Sequence, residues 1–377
     1  VAARTADILV IGAGMAGASA AAHLAADARV VVLELEDQPG YHSTGRSAAL
    51  FSETYGNRPI RILTRAGREF YLAQADGVAE HSILSRRGAM IYAMPGQEAL
   101  LDAAWAELSP LDPTIRWLGA DEARALVPAL RRDKIVAAMH EPGAMDIDVH
   151  GLHQAYLRLL RRRDGKVVTG ARVTALARRG DSWVATTPAG EFSAPIIVNA
   201  AGAWADAVAG LAGLPPLGVV PKRRTAVIVN APEAMAVESW PLTIDAAETG
   251  YFKPESGRLL VSPADETPVA PCDAQPDELH VAIAIERLIE RTTITVRRVE
   301  RKWAGLRSFA KDKTPVVGYE PDCPGFFWLA GQGGYGIQAA EGLARSTAGL
   351  IVNGHLPADL VAAGLDAAEI SPRRFRH

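Results

Sequence analysis

Ser43, Thr44, Gly45, Arg46 and Ser47 stand together in PGYHSTGRSAA (Pro39 to Ala49), a stretch with almost nothing able to fill a core. Hydroxyls, a glycine and a guanidinium suit a solvated loop, a phosphate or a polar ring system. Upstream, Gly12-x-Gly14-x-x-Gly17 offers a second polar apparatus. Gly12 permits a tight turn, Gly14 lets the backbone approach a pyrophosphate, and Gly17 lets a helix pack close to a strand. Glu34 follows 20 residues after Gly14. A carboxylate there can accept hydrogen bonds from a ribose diol and would repel a 2′-phosphate, which disfavours NADP.

These groups need a βαβ unit to hold them. Asp7 to Ile11 is a short aliphatic run suited to a buried parallel strand, an Ala-rich helix extends to about Ala26, and Arg29 to Leu35 makes a second aliphatic strand. The helix N-terminus offers free N–H groups and partial positive charge to phosphates. NAD and FAD both satisfy this unit. After Glu34, however, Pro39-Gly40 breaks the chain where NAD-linked enzymes usually continue into further βα units. Two more strand–turn–helix segments lie downstream, Ile196 to Gly213 and Phe326 to Val352, the second with Gly331, Gly333, Gly334 and Gly336 in its loop. Such a loop needs positive φ or close backbone approach, and where it opens a helix it suits an anion or an electron-rich ring. Residues 51–145 and 216–306 differ in pattern, with alternating strands such as Gly88 to Met94 and Gly257 to Pro263 among short helices.

Composition removes other classes. Lys plus Arg number 40 against 43 Asp plus Glu, a net charge of −3, so no basic excess points to nucleic acid. Cys272 and Cys323 stand in unrelated contexts, which excludes a disulfide scaffold and fits a reducing compartment. Ile8 to Ala22 is uncharged but shorter than the roughly 20 apolar residues that span a bilayer, and its glycines give it a better explanation than targeting. The expectation is a cytoplasmic protein, or one peripheral to a membrane, without a transmembrane segment. His150 and His153 sit at i, i+3 at the start of a helix beside Asp148, but no third ligand matches, so no metal is expected.

The motifs GAGMAG, STGRSA, NAAGAW, WAGLRSF (Trp303 to Phe309) and GQGGYGIQ (Gly331 to Gln338) occur here in an order that resembles the D-amino-acid oxidase superfamily of FAD enzymes. The likeness covers nearly the whole chain and is strongest to the D-arginine-dehydrogenase type, through PGYHSTGRSAA, PKRR, WAGLRSF, QGGYGIQ and the late SPRR. It implies a mixed α/β fold. A Rossmann-like FAD-binding domain (1–50, 146–215 and 307–377) would be interleaved with a mixed-sheet substrate-binding domain (51–145 and 216–306). It also implies that Gly12, Gly14, Ala16, Gly17 and Glu34, the run from Ser43 through Thr44, Gly45, Arg46 and Ser47 to Ala48, Val173 in a strand-like stretch, and Gly202 hold FAD. Gly333, Gly334, Gly336, Ile337 and Gln338 would meet the flavin ring. Some members attach FAD through a cysteine after the WAGLR-like strand. Residues 304–311 contain none, so non-covalent FAD is expected.

By the same resemblance, Arg307 and Tyr251 bind the substrate carboxylate, with Arg224, Tyr55 and Gly334 beside them. A guanidinium fork is the natural partner for a carboxylate taken out of water. No general base stands out, which fits hydride transfer to flavin from an amine already deprotonated. Leu50, Ser52, Ala89, Leu242 and Ile244 take side-chain pocket positions. Members specialised for D-arginine carry an acid where Ala89 stands and a His where Leu50 stands, so apolar D-amino acids are the expected substrates here. Glu53 and Asp245 are the acids that could reverse this by turning inward. The expected activity is oxidation of a D-amino acid to a 2-oxo acid and ammonia, with oxygen or a quinone or other carrier accepting the electrons. A secondary amine such as sarcosine or proline, and a flavin-binding subunit without turnover, are the alternatives.

Overall fold

The computed structural model describes residues 3–73, 77–233 and 235–376. Its first sheet grows from the aliphatic runs. Ile8–Ile11 is buried at every position and pairs in parallel with Val30–Leu33 on one side and Ile196–Asn199 on the other. Lys166–Val168, Phe326–Ala330 and Val316–Tyr319 complete six strands in the order 166–168, 30–33, 8–11, 196–199, 326–330, 316–319. Only the last pair is antiparallel. A parallel sheet covered on both faces needs apolar residues throughout, which ILVI and FFWLA provide.

Met15–Leu24 crosses between the first two strands and packs against Val149–Arg162 and Ala340–Ala348. Its alanines allow that crowding, and Gly17 marks the limit. A Cβ there would lie 1.8 Å from the carbonyl oxygen of Gly12, which itself adopts φ +100°. Phe51, Leu63, Tyr71 and Leu84, from a stretch expected to go with the other sheet, are buried in this same core. They are there because Arg58–Arg65 lies against Ala340–Ala348. Val173 is not in a strand. It lies in the connection from Lys166–Val168 to Ala175–Arg179, the edge of a separate four-stranded sheet.

The second large sheet has nine strands. Leu242–Asp245, Ala89–Ala93 and Ala137–Glu141 are neighbours in it, and the long strand Val220–Asn230 pairs with Val299–Phe309. The expected boundary at 306/307 falls inside that last strand. Successive side chains of a strand face opposite ways, so the pairing identifies which residues share a face. Leu242, Ala89 and Glu141 form one row across three strands, and Ile244, Ile91 and Met139 form the next, which Tyr251 extends. On the long pair, Arg224 lies opposite Gly305, and Arg307 follows two residues later on the same face.

Two glycines on helices should respond oppositely to alanine. Gly17→Ala should lower the denaturation midpoint by an amount worth about 1–3 kcal/mol, because backbone must move. Gly210, exposed in the helix Ala205–Leu211, has open space where a methyl group would go, so Gly210→Ala should raise stability by about 0.5–1 kcal/mol. Urea titration of both variants followed by circular dichroism checks the pair.

Candidate active site

Residues of both sheets line one continuous cavity of about 1080 Å³. Ile11, Glu34 and Ala200 reach it from the carboxyl ends of the three central strands of the first sheet. The order of connection reverses there, and open α/β sheets bind ligands at that point. Gly12, Gly14 and Ala16 line the wall, while Gly17 and Gly45 stand behind it. The Glu34 carboxylate accepts hydrogen bonds from the N–H of Ala13 (2.6 Å) and of Glu36 (3.0 Å). Burial pushes this carboxyl above its ordinary range, against the pull of those two donors. Two of its roughly four acceptor positions are left over.

The STGRS stretch behaves differently from its composition. Thr44 Oγ1 accepts a hydrogen bond from the Met15 N–H (2.9 Å), capping the crossover helix from outside it. Ser43 Oγ donates to the Leu306 carbonyl (2.7 Å). The Arg46 guanidinium pairs with Asp273 and donates to the carbonyls of Ala274 (2.9 Å) and Ala304 (3.2 Å). These three side chains brace the loop, and Arg46 has its charge matched inside the protein. Ser47, Ala48, Val173 and Gly202 also line the cavity.

Two further residues of the wall lie inside the motifs PGYHSTGRSAA and GQGGYGIQ but are not among the expected site residues. His42 Nε2 donates to the Glu36 carboxylate (2.8 Å), but its buried Nδ1 has no partner among the described residues. Gln332 Nε2 is likewise buried and unpartnered. Both residues line the cavity, where unsatisfied polar atoms fit a polar ligand such as a dinucleotide. His153, by contrast, is a satisfied core histidine. Its Nε2 bonds the Ala13 carbonyl (2.8 Å), and burial lowers its pKa, keeping the ring neutral. Asp148 caps its helix through the Gly151 N–H (2.8 Å). Among the described residues no group of three His, Cys, Asp or Glu could hold a metal, and no helix is long and apolar enough to cross a membrane.

At the other end of the cavity, the strand Val299–Phe309 is laced to the glycine loop. Gly333 N–H donates to the Ser308 carbonyl (2.8 Å), and Phe309 bridges Gln332. This lacing sets the Arg307 guanidinium on Gly334, where a Cβ would come 2.9 Å from Nη1. Arg307 makes no ion pair or side-chain hydrogen bond among the described residues, yet lines the cavity. Burial opposes its charge, but Tyr251, Tyr55, Glu266 and Tyr335 outweigh that and keep its pKa above the ordinary value. Burial pushes the Tyr251 phenol up, and Arg307 with Arg224 more than reverses this, leaving it below the usual tyrosine range.

Arg224 shares the face but is engaged, donating to the Asp265 carbonyl (2.8 Å) and to Glu266 (3.3 Å). Tyr55 is 42% exposed, with its ring 4.9 Å from that of Tyr335. Gln338 ties the same loop down, donating to the Tyr55 carbonyl and accepting from the Ser52 N–H, both at 3.4 Å. Gly336 and Ile337 line the cavity beside it.

Leu50, Ser52, Ala89, Leu242 and Ile244 all reach the cavity as well. Neither acid expected to turn inward does so. Glu53 pairs with Arg68 (2.8 Å), and Asp245 is fully buried against Arg291 (2.9 Å). Of the acids that line the cavity, Glu141 is the one directly opposite Ala89. The alternation in AAMHE is legible in the sequence, but only the pairing with Ala89–Ala93 decides which of its faces meets the cavity.

Comparison with known proteins fits this geometry. The chain is 25% identical to the glycine oxidase of Geobacillus kaustophilus (strain HTA426), over 97% of this chain and 95% of that protein. It is 26% identical to the mitochondrial dimethylglycine dehydrogenase of Mus musculus, over 68% of this chain but 31% of that protein. Among solved structures, glycine oxidase from Geobacillus kaustophilus superposes with a TM-score of 0.86 at 23% identity, covering 99% of both chains. L-proline dehydrogenase from P. horikoshii gives 0.84 at 19% identity, covering 99% and 98%. At such identities these likenesses speak for the fold. Residues 7–350 match the family described as DAO, FAD dependent oxidoreductase, so the chain belongs to that family and its cofactor is FAD.

Proposed function

We propose that the protein oxidises D-amino acids, releasing a 2-oxo acid and ammonia after hydrolysis of the imino acid. The observation that carries this reading is Arg307, a guanidinium facing the cavity with no carboxylate partner among the described residues. Its planar fork suits a substrate carboxylate, and Tyr251 beside it can add a phenol donor. Gly334 leaves room for the fork, and the paired rings of Tyr55 and Tyr335 line the same cavity. FAD, when bound, supplies the two-electron acceptor for hydride leaving Cα. The residues of the first sheet and its glycine turns hold that cofactor, non-covalently, and the nine-stranded sheet holds the substrate. Phe51, Leu63, Tyr71 and Leu84 belong by packing with the first.

A second reading is oxidation of a secondary or unbranched amine, since relatives include a glycine oxidase and a dimethylglycine dehydrogenase. The clamp would serve sarcosine or proline equally. The rows Leu242–Ala89 and Ile244–Ile91–Met139 favour the first reading, because glycine or sarcosine would leave this apolar wall uncovered. Anaerobic flavin reduction by a panel of D- and L-amino acids, sarcosine and proline separates the readings. No bleaching by any of them would leave a flavin-binding protein without turnover.

The purified protein should be yellow, and acid precipitation should leave the flavin in the supernatant, because Trp303 to Lys311 contains no cysteine. Flavin in the pellet would contradict non-covalent binding.

Arg307→Ala should raise the half-saturating D-amino-acid concentration about 10- to 150-fold with FAD retained, the loss of one charge-assisted pair worth roughly 1.5–3 kcal/mol. Unchanged saturation would transfer the carboxylate to another cation, with Arg224, which also lines the cavity, the next candidate.

D-leucine, D-methionine and D-phenylalanine should exceed D-arginine and D-lysine in kcat/KM, each burying a side chain worth roughly 1.5–3 kcal/mol against the apolar rows. Ala89→Glu should move the preference toward D-arginine. Stopped-flow flavin reduction at low substrate concentration measures both.

A further inference from the structure

Glu141 takes no part in the carboxylate clamp, yet it is the one acid in the two cavity-facing rows formed by residues 242–244, 89–91 and 139–141. It is held rather than free. Ser52 Oγ donates to its Oε1 and Oε2 (3.1 and 2.9 Å), and Thr54 Oγ1 donates to Oε2 (2.8 Å). Each hydroxyl carries a single hydrogen, so two hydrogens serve a carboxylate with about four acceptor positions. Glu141 is 8% exposed and pairs with no Lys or Arg among the described residues. Burial pushes its carboxyl upward, against the pull of Thr54 and Ser52. Both oxygens have a partner, and the acceptor positions left over are open to a donor that enters the cavity.

We propose that Glu141, fixed by Ser52 and Thr54, is a specificity-determining residue that accepts a hydrogen bond from one neutral donor, a hydroxyl or a single N–H, on the substrate's side chain. This rests on the amino-acid reading above and refines it. The pocket takes an apolar stem, as Leu50, Ala89, Ile91 and Met139 require, and rewards a donor at one point of the wall. A cation fits less well. An ammonium brings three N–H donors and a guanidinium five, and beyond Glu141 these rows offer only aliphatic and thioether groups. Arg61 also borders the cavity, donating to the Thr54 carbonyl (2.9 Å), and its pairing with Glu107 already engages that acid of the wall.

Matched pairs test this in the FAD-loaded protein: D-tyrosine against D-phenylalanine, 5-hydroxy-D-norvaline against D-norleucine, and D-lysine against D-norleucine. In the native protein, at least one hydroxylated member should exceed its partner about 10-fold or more in kcat/KM, and D-lysine should not exceed D-norleucine. Glu141→Leu should bring the hydroxyl ratio to about one while D-phenylalanine still reduces the flavin. Glu141→Gln, which keeps a carbonyl acceptor, should retain part of it. A readout without turnover runs beside these. 3-(4-Hydroxyphenyl)propanoate should perturb the flavin spectrum at lower concentration than 3-phenylpropanoate in the native protein only. Equal ratios in the native protein, or a hydroxyl preference that survives Glu141→Leu, overturns the proposal even if that variant is unstable. A D-lysine preference also overturns it, in favour of a cation subsite. Failure of every D-amino acid to reduce the flavin would instead strike the amino-acid reading itself.

Discussion

A guanidinium drawn away from bulk water without an internal counter-ion is the constraint around which this protein is arranged. Removing an ion from water is costly, and a lone buried charge is tolerated only when the surroundings recover part of that cost. At Arg307 they do so through aromatic hydroxyls and a distant acid rather than a carboxylate in contact. The strand that carries Arg307 must therefore be held rigidly, and it is held twice. Its register with Val220–Asn230 fixes the face on which Arg307 points, and the bond from Gly333 N–H to the Ser308 carbonyl fixes its end against the glycine loop. The missing side chain at Gly334 then gives the guanidinium somewhere to lie.

The same economy governs the dinucleotide end. The turn after the first strand exposes backbone N–H groups that a ligand can use only if the turn does not relax. Glu34 secures the Ala13 N–H, His153 the Ala13 carbonyl and Thr44 the Met15 N–H, each from a different part of the chain. Arg46 extends the bracing to residues 273–274 and 304, and thus to the strand bearing Arg307. The loop that borders one end of the cavity is therefore mechanically tied to the clamp at the other. Pre-organisation of this kind lowers the ordering cost of binding.

Much of the fold was legible because burial on both faces leaves a strong mark. ILVI, VVVL and FFWLA announce central parallel strands, and each is followed by a glycine turn or an acid whose geometric job is local. What could not be read depends on partners far along the chain. Ser43, Thr44 and Arg46 of STGRS line the cavity, but they also engage Leu306, Met15 and Asp273, none of which is near them in sequence. Val173 sits in an aliphatic run that reads as strand, while the hydrogen bond from the Ala171 N–H to the Glu34 carbonyl turns the chain aside there. Residues 58–72 look like part of the substrate half because they follow the break after Glu34. Their apolar face finds Ala340–Ala348 instead.

Glu141 shows how an acid that the local sequence does not announce reaches the pocket through cross-strand pairing. The chain has Ala89 where members specialised for D-arginine are expected to carry an acid, and by sequence the acid is simply lost. In the sheet, Glu141 is the direct cross-strand partner of Ala89. Paired residues of adjacent antiparallel strands have Cβ atoms about 5 Å apart on one face, so a carboxyl there still reaches the same cavity. Its environment is different in kind. Two hydroxyls from the strand-to-helix segment at Ser52 and Thr54 already share its negative charge, and Leu50 lines the wall near them. A carboxyl so held is a poor centre for an ion pair but a well-oriented acceptor for one more hydrogen bond. On the proposed reading, side-chain selection rests on the number of donors a substrate brings, because beyond Glu141 the two strand rows offer only aliphatic and thioether groups.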